Sequence, residues 1–155
     1  VNGFAAEPKD REMTQVNEDS TEAEAEAKTA AADTAALRRF GLDTMLSVVG
    51  APPATEDADL RDGELGEDLV EIGLISVWAQ LWAREGLSRR DRSLVTLGIL
   101  IALGQETELQ HHVRIGRQNG LTLDEISEVI YHSAGYAGFP RAMSARKAAR
   151  ETLTS

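Results

Sequence analysis

The sequence predicts an all-α fold of about six helices, and three observations carry that prediction. From Leu69 onward large apolar residues recur at spacings of three and four. "LVEIGLISVWAQLW" sets Leu69, Ile72, Ile75, Trp78, Leu81 and Trp82 on one helical stripe. Helix start and stop signals follow one another in regular order through the second half of the chain. No stretch alternates apolar and polar residues at period two with a β-branched bias, as a half-buried strand would.

Residues 1–20 are polar and without periodicity, and are expected to form a flexible N-terminal segment ahead of a single all-α domain over 21–155. Thr21–Phe40, "TEAEAEAKTAAADTAALRRF", is rich in good helix formers but almost bare of large apolar groups. It reads as a helix that firms up toward Leu37, Phe40, Met45, Leu46 and Val49. Gly50-Ala51-Pro52-Pro53 breaks it, and the acidic run through Asp68 reads as a solvated loop. Ser88-Arg89-Arg90-Asp91 is an S-x-x-D start signal for a helix running to Gly104. The next helix spans 105–119 and closes at Gly120, a left-handed cap. Thr122 and Glu125 make a capping box for a helix to about Ala134. Pro140 suits the first position of a last helix reaching about Leu153.

Length and composition narrow the function. A chain of 155 residues can bury one core without staples. Cysteine is absent, which removes disulfides, thiol nucleophiles and thiolate metal sites together and fits a cytoplasmic protein. "VNGFAAEPKDRE" has no apolar core of a signal peptide, and no apolar run approaches the ~20 residues that span a bilayer, so no membrane role is expected. Residues 1–83 carry a net charge of −12 and residues 84–155 a net of +2. No basic stripe with interleaved aromatics exists, so nucleic acid is not an expected partner. The arginines of the second half are placed to meet an anionic ligand instead.

Two of the chain's three histidines stand side by side in "ETELQHHV", Glu106–Val113, just after the apolar run Leu94–Leu103. With Leu109 at the centre of the buried face, Val113 and Gly116 fall beside it and His112 lies on the inward flank. Glu108 is one turn before His112 on the same flank, while His111 points further round. An inward imidazole beside a carboxylate is a usable general acid–base pair. It is equally a hydrogen-bonded pair of purely structural purpose, and both readings stay open. Glu108-x-x-His111 has the form of one half of a diiron site, but the second pair is missing; His111, His112 and His132 diverge too far to share zinc. No metal and no other cofactor is expected.

"LWAREGLSRRDRSLVTLGILIALG", then "ELQHHV", then "NGLTLDEISEVIYHSAGYAGFP" resemble, in this order and spacing, the carboxymuconolactone decarboxylase family, which includes the AhpD-like proteins. The likeness covers about Trp82–Leu153. It implies an all-α fold assembled as trimers or hexamers, with active sites among packed helices near subunit contacts. The thiol branch of that family carries cysteines at the positions of Gln105 and Glu108, and tends to carry a relay glutamate at Ser93; without thiols that chemistry is excluded. The decarboxylase branch resembles Glu108-Leu109-x-x-His112. It implies cofactor-free decarboxylation of a small carboxylated lactone, with His112 as general acid and Glu108 orienting it. Arg92 is then the first candidate to hold the carboxylate that stays, with Arg141 as another and His132 as a further substrate-binding candidate. Arg141-Ala142-Met143 and Glu85 depart from the branch's usual pattern and bear on which substrate is used. A related lyase or isomerase on another small anionic metabolite is the alternative, as is a non-catalytic oligomeric binding protein.

Overall fold

The computed structural model describes the backbone of residues 8–154 and the side chains of residues 23–154. The expectation for residues 1–20 falls largely on side chains outside that set, and residues 1–7 lie outside it entirely. The helices are α1 (Pro8–Val49), α2 (Asp68–Gly73), α3 (Arg89–Leu103), α4 (Glu106–Gln118), α5 (Leu123–Tyr136) and α6 (Phe139–Thr154). Helix α2 continues without interruption into a π-helical stretch, Leu74–Trp82. No strand occurs among the described residues, so the class is all-α as the periodicity predicts.

The caps are formed as the sequence indicates. Ser88 accepts from the Asp91 amide at the start of α3, and Gly104 ends it at φ +72°. Thr122 and Glu125 exchange both bonds of the capping box before α5. After α4 the Leu121 amide reaches back to the Gly116 carbonyl across Gly120, whose φ is +95°.

Helices α3 to α6 enclose one core. Leu97 and Ile101 from α3 meet Leu109 and Val113 from α4, and Leu121, Ile126 and Ile130 close it from the α5 side. Helix α6 contributes only Ala142, Ala145, Ala148 and Ala149, small side chains that let its backbone approach closely.

The π stretch departs from the predicted stripe. Its buried residues are Leu74, Ala79 and Trp82, while Leu69, Ile72 and Leu81 face outward. The wider winding of the π stretch advances each side chain by a smaller angle than an α-helix does, so a different set turns inward. Helix α1 packs on this stretch through Gly41, Leu42, Thr44 and Val48, whereas Phe40 and Val49 are largely exposed. The reason is Gly41. A Cβ there would stand 2.0 Å from the Leu74 carbonyl oxygen, so the two backbones touch. Gly41→Ala is therefore expected to destabilise the fold by about 1–3 kcal/mol, read as a lower urea midpoint with unchanged slope.

The loop between α1 and α2 is not simply solvated. Arg38 forks onto Glu71, pairs with Asp57 and donates to the Ala58 carbonyl at 2.6 Å. Arg39 donates to the Ala54 carbonyl at 2.8 Å. Bidentate guanidinium contacts of this kind fasten the acidic run to α1, and Arg38 in turn holds the Glu71 carboxyl below the usual carboxylate range.

Candidate active site

Helix α4 buries Leu109, Val113 and Gly116 and leaves His112 on the flank, as the helical projection requires. The His112 ring lies nearly parallel to the Trp82 indole, with centroids 6.3 Å apart and planes at 20°. Trp82 in turn leans on Trp78 at 5.6 Å. The end of the π stretch thus supplies an aromatic wall behind the imidazole.

Arg92, in the first turn of α3, reaches the same chain segment. Its Nη2 donates to the Arg84 carbonyl at 2.7 Å, two residues beyond the indole that backs His112. Among the described residues, only two buried side-chain polar atoms lack a hydrogen-bond partner: Arg92 Nε and His112 Nδ1. Buried polar atoms are otherwise almost always paired, and leaving one unpaired costs about 1–3 kcal/mol. Both atoms belong to side chains that meet the Trp82–Arg84 stretch.

Burial is the main influence on the His112 imidazole and pushes its pKa below the ordinary value. The Glu108 charge opposes that shift and His111 adds to it. The expected hydrogen bond between Glu108 and His112 is not formed. Glu108 is exposed, His112 Nδ1 has no partner, and only the carboxylate's charge acts across the turn. Carboxylate and imidazole share a flank, but the longer glutamate side chain remains in solvent.

The other two candidates stand apart within one chain. Arg141 rests against Gly104 at the far end of α3, about 18 Å along the helix from Arg92. His132 is exposed and packs on Tyr136 at 4.8 Å, beside a concavity of about 210 Å³ lined also by Gly98 and Ala102. No group of three potential metal ligands converges anywhere among the described residues. Two further polar residues sit just behind Arg92. Buried Ser93 accepts from the Asn119 amide at 3.0 Å and donates to the Arg89 carbonyl, tying α3 to the end of α4. Sequence reading assigned Trp82 to the core and passed over Asn119. Only the coincidence of Trp82 with the end of the apolar stripe hinted at the first, and nothing local marked the second.

Residues 60–151 match the carboxymuconolactone decarboxylase family. The chain belongs to that family. The matched stretch runs from the acidic loop to the last turns of α6 and contains every candidate residue named above; it leaves α1 outside. Among relatives of this family member is a 4-carboxymuconolactone decarboxylase of Acinetobacter baylyi. It is 47% identical over 113 residues, covering 73% of this chain and 84% of the relative. A nitrosuccinic acid decarboxylase of Metarhizium robertsii is 40% identical over 76 residues, which cover 49% of this chain and 53% of the relative. No helix of this family member is long and apolar enough to cross a membrane.

Proposed function

We propose that the chain is a decarboxylase of a small carboxylated lactone of the 4-carboxymuconolactone type, with His112 and Arg92 as the side chains that meet the substrate. The observation that carries this reading is the pair of unpartnered buried atoms, Arg92 Nε and His112 Nδ1, in side chains that both meet the Trp82–Arg84 stretch. Family membership and the named decarboxylases among its relatives support the reaction class.

The chemistry needs three services. A cation must hold the carboxylate that remains; Arg92 does this through a charge-assisted hydrogen bond, with its Nη2 anchored on the Arg84 carbonyl. As the other carboxylate leaves as CO2, its bonding electrons pass through the ring toward the lactone carbonyl, and a preorganised donor must meet the growing enolate charge. Finally one proton must be added to the ring carbon, and His112 supplies it. Burial keeps the imidazole neutral while the site is empty, and an arriving dianion favours its protonated form. Glu108 supports that uptake by its charge rather than by direct contact. The electron sink lies in the substrate, so this route requires no cofactor.

The enzyme is further read as a cytoplasmic homo-oligomer, a trimer or hexamer, which is the setting in which Arg141 or His132 of another copy enters the site. Nitrosuccinate is a second substrate to test because of the Metarhizium relative. Its nitro group, like a lactone carbonyl, accepts the electron pair as CO2 departs. Incubation with each compound, following CO2 release and, for the lactone, loss of ring absorbance, separates the readings. Turnover of carboxymuconolactone is the expected outcome; turnover of neither compound by a folded oligomer sinks the proposed reaction.

A further inference from the structure

Helix α1 carries a stretch that the fold does not use. Residues 23–36 are all exposed, while the same helix beyond Arg39 is packed on the π stretch and α4. Among the described residues this part of α1 has no packing partner, although helices in water draw most of their stability from tertiary packing of one face. Its composition is unusual for a free arm. Ala23, Ala27, Ala30 and Thr34 fall on one side, and the Thr34 hydroxyl is occupied by the Ala30 carbonyl at 2.8 Å. Acids flank that side: Glu26 and Asp33 on one edge, Glu24 on the other.

The complementary surface lies at the opposite end of the chain. Helices α5 and α6 form a groove of about 250 Å³ whose apolar wall includes Leu123, Ile126, Tyr131 and Leu153, with Arg146 and Arg150 among its lining residues. Leu123, Tyr131 and Leu153 are exposed in a single chain. Among the described residues neither arginine has an acidic partner, and these two are the charged side chains of the groove lining. A small-residue face can enter a shallow helix–helix groove closely, and acids on both edges meet the basic rim. The arm is continuous with the packed half of α1, so it projects away rather than folding back.

The geometry points to an exchange between two copies of this chain: residues 23–36 of α1 from one copy lie in the α5–α6 groove of another. This assembly contact is separate from the Trp82–His112 site and does not depend on the reaction proposed for it.

The absence of cysteine makes the test clean. Full-length chains carrying Ala27→Cys and full-length chains carrying Ser127→Cys are mixed and treated with a short bis-maleimide. The expected product is a heterodimer joining the two kinds of chain, in excess over either homodimer. Arg146→Glu with Arg150→Glu should lower its yield about tenfold or more, because like charges then face each other. Helical content by circular dichroism should match that of the parent. Should that double variant fold poorly, Glu24→Lys, Glu26→Lys and Asp33→Lys on the exposed arm must give the same loss. Joining of the two positions only within one chain carrying both cysteines, no heterodimer, or a yield indifferent to both sets of reversals overturns the proposal.

Discussion

His112→Ala and His112→Gln are expected to lower kcat by about 10²–10⁴-fold while the fold and its melting temperature persist. The larger end applies if the imidazole both delivers the proton and balances the enolate. The pH profile adds a signature that a structural histidine would not have. Burial sets the pKa of His112 in the empty site below the usual ~6.5. If His112 is the general acid, its protonated form is active, so kcat/KM is highest below that pKa and falls as pH rises through it. The break in kcat/KM therefore lies on the acid side of an ordinary histidine. Bound dianion raises the pKa, so the break in kcat lies at higher pH than the break in kcat/KM. Both breaks should vanish from the residual activity of His112→Gln. Unchanged turnover in the variants, or the same breaks without the imidazole, would remove His112 from the mechanism.

Arg92→Ala should lower kcat/KM by about 10- to 150-fold, mostly through KM. That range corresponds to the roughly 1.5–3 kcal/mol of a hydrogen bond to a charged group. Arg92→Lys should recover only part of the loss, because an ammonium cannot hold the Arg84 carbonyl and present a second donor in one plane. If Arg92 served only to brace the turn after the π stretch, both variants would lower the melting temperature and leave KM unchanged. Steady-state kinetics alongside thermal unfolding distinguishes the two.

Much of this molecule could be read from its residues, and the parts that could not share a cause. Ser88, Gly104, Gly120, Thr122 and Glu125 mark helix ends correctly because capping is local chemistry, settled within a turn of chain. Leu109, Val113, Gly116 and the flank position of His112 follow from a regular α period. The stripe over Leu69–Trp82 misled because it was projected at that same period, whereas the wider π winding turns Leu74, Ala79 and Trp82 inward. The apolar spacing is compatible with either winding, and contact with Gly41 lies outside any local window. At the site, Glu108 and His112 share a flank as expected, but whether a side chain reaches its neighbour is decided by solvent and by Trp82, which the spacing does not encode. That Arg92 and His112 both meet the Trp82–Arg84 stretch is likewise a property of how the chain turns between Trp82 and Ser88. The resemblance pointed to both residues from their motifs, without showing that they contact one stretch of chain.

The π winding of Leu74–Trp82 has a consequence for how this site can change over time. Each π turn takes up about one residue more than an α turn, so the stretch behaves as an α-helix holding surplus residues. Removing one would let the segment relax toward α geometry and swing Trp82 by about 100° around the helix axis, away from the imidazole. The environment that keeps His112 neutral is thus adjustable by insertion or deletion upstream, with every side chain of the site itself retained. Chain length in a scaffold helix becomes a control on proton affinity, one that substitution alone would reach only slowly.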